Sequence, residues 1–170
     1  MTSPSMPFDI LLDRDGTLIK DTGYIASKYN VEVLNGVIRG LKLFTKKGYR
    51  LHIISNQSGV PRGKISTLEF NEVEKHINSF FLEHDIVFNS HNYCFHLPTD
   101  GCECRKPKSG LLEKVSGEYE INKLTTAMLG NSEVDREAAK NFGIPFWEVG
   151  QPKTDFYEIA RKVVRYFEGS

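Results

Sequence analysis

Short apolar runs alternate with longer amphipathic stretches along this chain, and nothing else in it narrows the fold as far. A short apolar run reads as a buried strand, and apolar positions every three or four residues read as a helix. Strands are predicted over 8–12, 50–55, 87–95, 126–129 and 145–149. Helices are predicted over 36–47, 67–83, 109–115, 134–142 and 154–167. Gly48 suits the close of the first helix, where the chain often turns left-handed. Ser66-Thr67-Leu68-Glu69 has the form of a capping box opening the second. The alternation predicts an α/β fold in which helices join parallel strands.

At 170 residues the chain fits one domain, 1–170, able to bury about 70 % of its unfolded surface. Its 22 basic and 22 acidic residues balance, so no overall field favours nucleic acid or a membrane surface. No apolar stretch is long enough to span a bilayer. Residues 1–7 read as a floppy leader and lack the apolar centre of a signal peptide. The three cysteines all fall within 94–104. An odd number so clustered argues against a disulfide scaffold and for a metal site in a reducing cytoplasm.

In open α/β sheets, ligands bind beyond the carboxyl ends of the strands. Asp13-Arg14-Asp15-Gly16-Thr17 follows the apolar run Ile10-Leu11-Leu12. Side chains alternate along an extended segment, so Asp13 and Asp15 share a side. The pair makes an anionic pocket for a hard cation such as Mg²⁺. It also offers a carboxylate nucleophile and a general acid/base. Alone, such a triplet more often marks two solvated acids. Ser55-Asn56-Gln57-Ser58-Gly59 ends the next predicted strand with a hydroxyl, amides and backbone N–H groups suited to phosphate oxygens. The plain alternative is a polar loop. Gly130-Asn131 ends a third, and Asn131 and Asp135, four apart, can share one side of a helix start.

Arg105-Lys106-Pro107 sets two cations before a residue that fixes the local backbone. Cations aimed at developing negative charge serve phosphoryl transfer, although a basic pair on a loop is more often merely solvated. Cys94-Phe95-His96 and Cys102-Glu103-Cys104 offer three thiolates and an imidazole, a ligand set for tetrahedral structural zinc. Against this stands the reading of small residues filling a core beside a surface histidine. Trp147 reads as packing at the last strand, and His52 as a satisfied core group.

Together with Asp21-Thr22-Gly23-Tyr24 and Arg62-Gly63-Lys64, these motifs resemble the haloacid dehalogenase-like phosphatases, in order and across nearly the whole chain. Within that superfamily the chain is most similar to the D-glycero-D-manno-heptose 1,7-bisphosphate phosphatases, with the histidinol-phosphate phosphatases nearby. The resemblance implies a three-layer Rossmann-like parallel sheet with helices on both faces, no large cap domain and a small zinc-binding loop. It implies that Asp13 attacks phosphorus to form an aspartyl-phosphate, and that Asp15 protonates the leaving oxygen and then activates water. Mg²⁺ would be held by the Asp13 side chain, the Asp15 carbonyl and position 131. Ser55 and Lys106 would stabilise the phosphoryl group, while Asp21, Thr22, Gly23, Tyr24, Asn56, Gln57, Ser58 and Arg105 would contact substrate. Cys94, His96, Cys102 and Cys104 match the family's structural zinc loop, and the inner stretch 97–101 is short, as in histidinol phosphatases and some heptose enzymes.

One position departs from the pattern. The family usually carries Gly-Asp where this chain has Gly130-Asn131, with lysine common where Ser132 stands. Asn131 still offers a carbonyl oxygen but no charge, which weakens a site for a hard cation. Asp135 remains as a supporting residue. Three readings follow: an enzyme with a neutral ligand, a weakened or inactive relative that binds a phosphosugar, or a replacement introduced into the chain. The implied activity is Mg²⁺-dependent hydrolysis of a small sugar phosphate in the cytoplasm, foremost the 7-phosphate of the heptose bisphosphate of lipopolysaccharide synthesis. Histidinol phosphate is the alternative substrate. No nucleic-acid or membrane partner is expected, and a monomer is consistent with the reading.

Overall fold

A computed structural model describes residues 7–150 and 154–169, so nearly all of the expected leader lies outside the described residues. In chain order the elements are β1 (Asp9–Leu12), α1 (Val37–Lys46), β2 (Arg50–Asn56), α2 (Thr67–Leu82), β3 (Ser90–Cys94), α3 (Gly110–Tyr119), β4 (Thr126–Gly130), α4 (Glu133–Phe142), β5 (Phe146–Glu148) and α5 (Phe156–Glu168). Most ends lie within two residues of the predicted ones. The capping box is present: Glu69 N–H donates to Ser66 Oγ at 3.1 Å, and Ser66 N–H to Glu69 Oε2 at 2.7 Å.

Two elements differ from expectation. The third strand begins at Ser90, because residues 87–89 make no ladder pairing and the Asn89 carboxamide instead accepts from Leu51 N–H at 2.9 Å. The third helix runs through Gly117 to Tyr119, four residues past the predicted end at 115. Gly117 is exposed and its missing side chain costs little packing; Tyr119 at the last turn bonds the Asn89 carbonyl and sets its ring against His52. Tertiary contact therefore lengthens a helix that local propensity would end.

The five strands form one parallel sheet in the order β3-β2-β1-β4-β5. Strand alternation sorts the apolar residues into two cores. Ile10, Leu12, Leu51, Ile53 and Leu129 face α1, α2 and α5 through Leu41, Phe44, Ile77, Phe81 and Phe156. Leu11, Ile54 and Met128 face α3 and α4 through Leu112, Val115, Ala138 and Phe142. Each such side chain contributes about 1.5–3 kcal/mol on full burial, so both faces drive the layering. Among the described residues no helix is long and apolar enough to cross a membrane.

Leu12 pairs with Ile53 and Leu129, so β1, β2 and β4 end together at one edge. No large cap intervenes between β1 and α1. That connection holds one 3₁₀ turn at Lys28–Asn30 and isolated bridges from Ile19 to Asp15 and Val33. The edge carrying Asp13, Asn56 and Asn131 is left accessible.

Candidate active site

Asp13 is the first residue past β1, and its N–H still donates to the Leu129 carbonyl at 3.0 Å. Its Oδ1 accepts from Lys106 Nζ at 2.8 Å and its Oδ2 from Thr17 Oγ1 at 3.2 Å. Lys106 is 3 % exposed, and its ammonium also donates to Asp135 Oδ1 at 2.5 Å and the Ile54 carbonyl at 2.8 Å. Those bonds use all three of its donors. One buried cation therefore sits between two carboxylates. Burial pushes the Asp13 carboxyl up to about 6, with Lys106 pulling the other way and Asp135 adding to the rise. Burial alone would lower Lys106, but Asp13 and Asp135 outweigh it, and the net direction is upward.

Asn56 fixes the backbone of that lysine. Its Oδ1 accepts from Lys106 N–H and its Nδ2 donates to the Lys106 carbonyl, each at 3.0 Å. Asp135 is the third residue of α4 and belongs to a capping box with Ser132. Its Oδ2 accepts from the N–H groups of Asn131 and Ser132, both at 3.2 Å, and from Ser132 Oγ at 2.7 Å. A side chain on Gly130 would meet Asp135 Cβ at 2.6 Å, so glycine is what lets β4 pass this carboxylate.

Asp15 stands on the other side of the turn that Gly16 makes with φ of +82°. Arg14 grips its carboxylate at both oxygens, Nε to Oδ1 at 3.1 Å and Nη2 to Oδ2 at 3.0 Å. Gln57 Nε2 donates to Asp15 Oδ2 at 2.6 Å and to Ser55 Oγ at 2.9 Å, while its Oε1 accepts from Arg14 Nη2 at 3.0 Å. Arg14 is buried, paired on its far side with Glu74, which in turn accepts from Tyr93 OH. Sequence reasoning passed over Arg14, Glu74 and Tyr93. The available signal was Glu74, a charged residue on the apolar stripe of Phe70, Val73 and Ile77 in α2.

An open pocket of about 280 Å³ lies over these groups. Asp13, Asp15, Asp21, Gly23, Tyr24, Ser55, Asn56, Gln57, Ser58, Lys106, Asn131 and Asp135 all contribute to its lining. Asp21 Oδ1 accepts from Gly23 N–H at 2.9 Å, which fixes the turn carrying Tyr24. Thr22 and Arg105 are not part of the lining. The Arg105 guanidinium instead donates to the His96 carbonyl at 3.1 Å and fastens the cysteine loop. Ile25, Gly59, Ile65, Ser132 and Val134 join the lining without any chemical signal in sequence.

The donor set suits a hard divalent cation. With its amide oxygen turned inward, Asn131 faces Asp13 Oδ2 and the Asp15 carbonyl oxygen at 3.3 Å each, three oxygens around one point. With its nitrogen inward, the same amide donates to both. Mg²⁺ takes oxygen ligands of this kind. Gly16 leaves room for that amide, since a side chain there would meet Asn131 Nδ2 at 2.1 Å.

A second cluster forms where β3 ends. One ligand atom each from Cys94, His96, Cys102 and Cys104 lies within 4.8 Å of the others. Cys94 Sγ is 3.8 Å from Cys102 Sγ, 3.3 Å from Cys104 Sγ and 3.5 Å from His96 Nδ1. A tetrahedron with metal–sulfur bonds of about 2.3 Å has edges of this order, so the four residues fit zinc. Burial, then the bonds to Cys94 and Cys102, push the Cys104 thiol up to about 12. As thiolates, three sulfurs this close would need a cation among them to stay ionised. The loop joins Lys106 directly, and Gly110 N–H donates to the Glu103 carbonyl at 3.1 Å to close it against α3.

A family model described as polynucleotide kinase 3 phosphatase matches residues 9–130, from the first residue of β1 to the last of β4. The chain is 33 % identical over 138 residues to a probable D-glycero-D-manno-heptose-1,7-bisphosphate 7-phosphatase of Thermoplasma volcanium, covering 81 % of this chain and 94 % of that one. It is 31 % identical over 157 residues to the histidine biosynthesis bifunctional protein HisB of Legionella pneumophila, covering 91 % of this chain and 44 % of that one. In fold it is similar to a D,D-heptose 1,7-bisphosphate phosphatase from B. bronchiseptica complexed with magnesium and phosphate. The TM-score is 0.86 at 24 % identity, over 95 % of this chain and 99 % of that one.

Proposed function

Because the chain belongs to the haloacid dehalogenase-like phosphatases, on the heptose 1,7-bisphosphate branch, we propose that it is a Mg²⁺-dependent phosphatase for the 7-phosphate of D-glycero-D-manno-heptose 1,7-bisphosphate. The observation that carries the reading is the Asp13 carboxylate, bonded to a buried Lys106 ammonium and facing an open pocket beside Asp15. Phosphoryl transfer asks mainly for positioning and charge neutralisation, and this constellation offers both.

In the proposed reaction an Asp13 oxygen attacks phosphorus, and the bond from phosphorus to the sugar oxygen breaks. Asp15 gives its proton to that oxygen. A water then loses a proton to Asp15 and attacks the aspartyl-phosphate, releasing inorganic phosphate and the Asp13 carboxylate. The Lys106 charge neutralises the transferring oxygens while its donors hold Asp13, Asp135 and Ile54, and Ser55 with the backbone N–H groups of the 55–59 turn supplies hydrogen bonds. Asp13, the Asp15 carbonyl and Asn131 would hold Mg²⁺, which supplies positive charge that keeps Asp13 ionised beside an incoming phosphate. Cys94, His96, Cys102 and Cys104 would hold zinc with all four positions filled by protein, so it would serve to fix the loop that delivers Lys106. Asp21, Gly23 and Tyr24 contact the sugar from the pocket wall.

The test is phosphate release from the heptose bisphosphate and from histidinol phosphate over a range of Mg²⁺ concentrations. Preference for the heptose, lost in Asp13→Asn, supports the reading. The similarity to the HisB protein favours histidinol phosphate as the second reading, and the same assay selects it if the preference reverses. Equal slow release from both undercuts either assignment. Phosphosugar binding without release, even at high Mg²⁺, would mark a non-catalytic relative.

A further inference from the structure

Glu74 is a buried acid with no role in the reaction as described, and its surroundings are specific. It lies on the core-facing side of α2, 8 % exposed, between Val73 and the Arg14 guanidinium. Its two oxygens are divided between Arg14 Nη1 and Tyr93 OH. Phe70 closes the cluster, with its ring 5.7 Å from the Arg14 guanidinium carbon and 5.1 Å from the Tyr93 ring, edge to face.

From Arg14 the chain of contacts leads into the pocket. Four hydrogen bonds leave the guanidinium: one to Glu74, two to Asp15 and one to Gln57. A guanidinium is a rigid planar fork, so fixing one edge fixes the direction of the others. Asp15 Oδ2 accepts from both Arg14 and Gln57, whereas Oδ1 accepts from Arg14 Nε alone. Oδ1 is therefore the oxygen with a lone pair left to carry a proton toward the pocket. Charge points the same way. Arg14 facing Asp15 alone would be free to swing its whole fork onto that carboxylate; Glu74 holds one arm back. An ion pair buried in this way gains orientation more than stability.

We propose that Glu74, with Tyr93, is a positioning residue for Asp15: it anchors Arg14, and Arg14 together with Gln57 holds the Asp15 carboxylate so that Oδ1 is the oxygen left for the leaving group. The inference rests on the reading of Asp15 as the general acid. The experiment compares kcat/KM, which reports steps through departure of the leaving group, on two substrates. One is the heptose bisphosphate, whose alkoxide must be protonated as it leaves. The other is p-nitrophenyl phosphate, whose leaving group departs without a proton.

In Glu74→Gln, kcat/KM on the heptose bisphosphate should fall about tenfold or more, a fraction of what a general acid supplies. The loss should lie in kcat with KM little changed, and the aryl substrate should lose less than about threefold. Tyr93→Phe, which removes only the hydroxyl, should show the same selectivity in smaller measure. Asp15→Asn is the control. If it does not discriminate between the substrates, the general-acid reading fails first. If it does and Glu74→Gln lowers both substrates alike, or neither, the positioning role is overturned while the function stands. Should Glu74→Gln fold poorly in thermal melts, Tyr93→Phe carries the comparison, and a parallel fall there overturns the proposal equally.

Discussion

An amide at position 131 changes what the metal-free site can do. Turned nitrogen-inward it bonds Asp13 Oδ2 and the Asp15 carbonyl, so the site is satisfied without a cation; a carboxylate in its place would oppose both. Asn131→Asp should tighten Mg²⁺ binding by about tenfold or more, or ~1.4 kcal/mol, measured by calorimetry. Its melting temperature should lie below that of the wild type in chelator and above it in saturating Mg²⁺. A variant that is no less stable in chelator would show that the amide makes no such bonds. At this scale the acidic pair was legible, because Asp13 and Asp15 sit in one short motif after an apolar run. Glu74 was not, since its partners Arg14 and Tyr93 lie 60 and 19 residues away.

Among the elements, the cysteine loop and α3 depend on each other. Lys106 leaves the loop between Glu103, whose carbonyl accepts from Gly110 N–H, and the first turn of α3. A side chain on Gly110 would meet the Glu103 carbonyl oxygen at 2.3 Å, a backbone atom that cannot swing aside. Gly110→Ala should therefore destabilise the protein by about 1–3 kcal/mol in urea unfolding, as overpacking does elsewhere. Phosphate release should fall with it, because the loop that delivers Lys106 must shift; unchanged stability would mean that the loop can step away from α3 freely. The ligand order of Cys94, His96, Cys102 and Cys104 was visible in sequence, and so was each element of the sheet. The extra turn of α3 was not, because Tyr119 reaches partners on β2 and beyond Phe88.

Across the whole molecule, chemistry and a large part of the polar anchoring sit at opposite ends of the sheet. At the amino end of β1, Asp9 is fully buried and accepts from Arg50 at 2.7 and 2.8 Å. His52 Nε2 lies 2.9 Å from the same carboxylate, and its Nδ1 lies 2.8 Å from Ser90 Oγ, so one cluster ties β1, β2 and β3. The reading of His52 as a satisfied core group agrees with this placement. Asp9→Ala should cost about 3–5 kcal/mol by leaving buried partners unpaired, while kcat in the folded fraction stays near the wild-type value. A selective loss of kcat would show that the two ends are coupled through β1.

The sequence by itself determined the alternation of strand and helix and the identity of the groups at the strand ends. These follow from periodicity and residue type, which are local. Only the tertiary structure decided that Lys106 lies between Asp13 and Asp135, that Asn56 holds its backbone, that Arg105 turns away to His96 and that Arg14 joins Asp15 to Glu74. Apart from the bond of Arg105 to His96, which closes one loop, each of those contacts joins separate segments across the sheet edge or over a helix. Their direction depends on packing and on which buried charge finds which partner, and neither is written in local pattern.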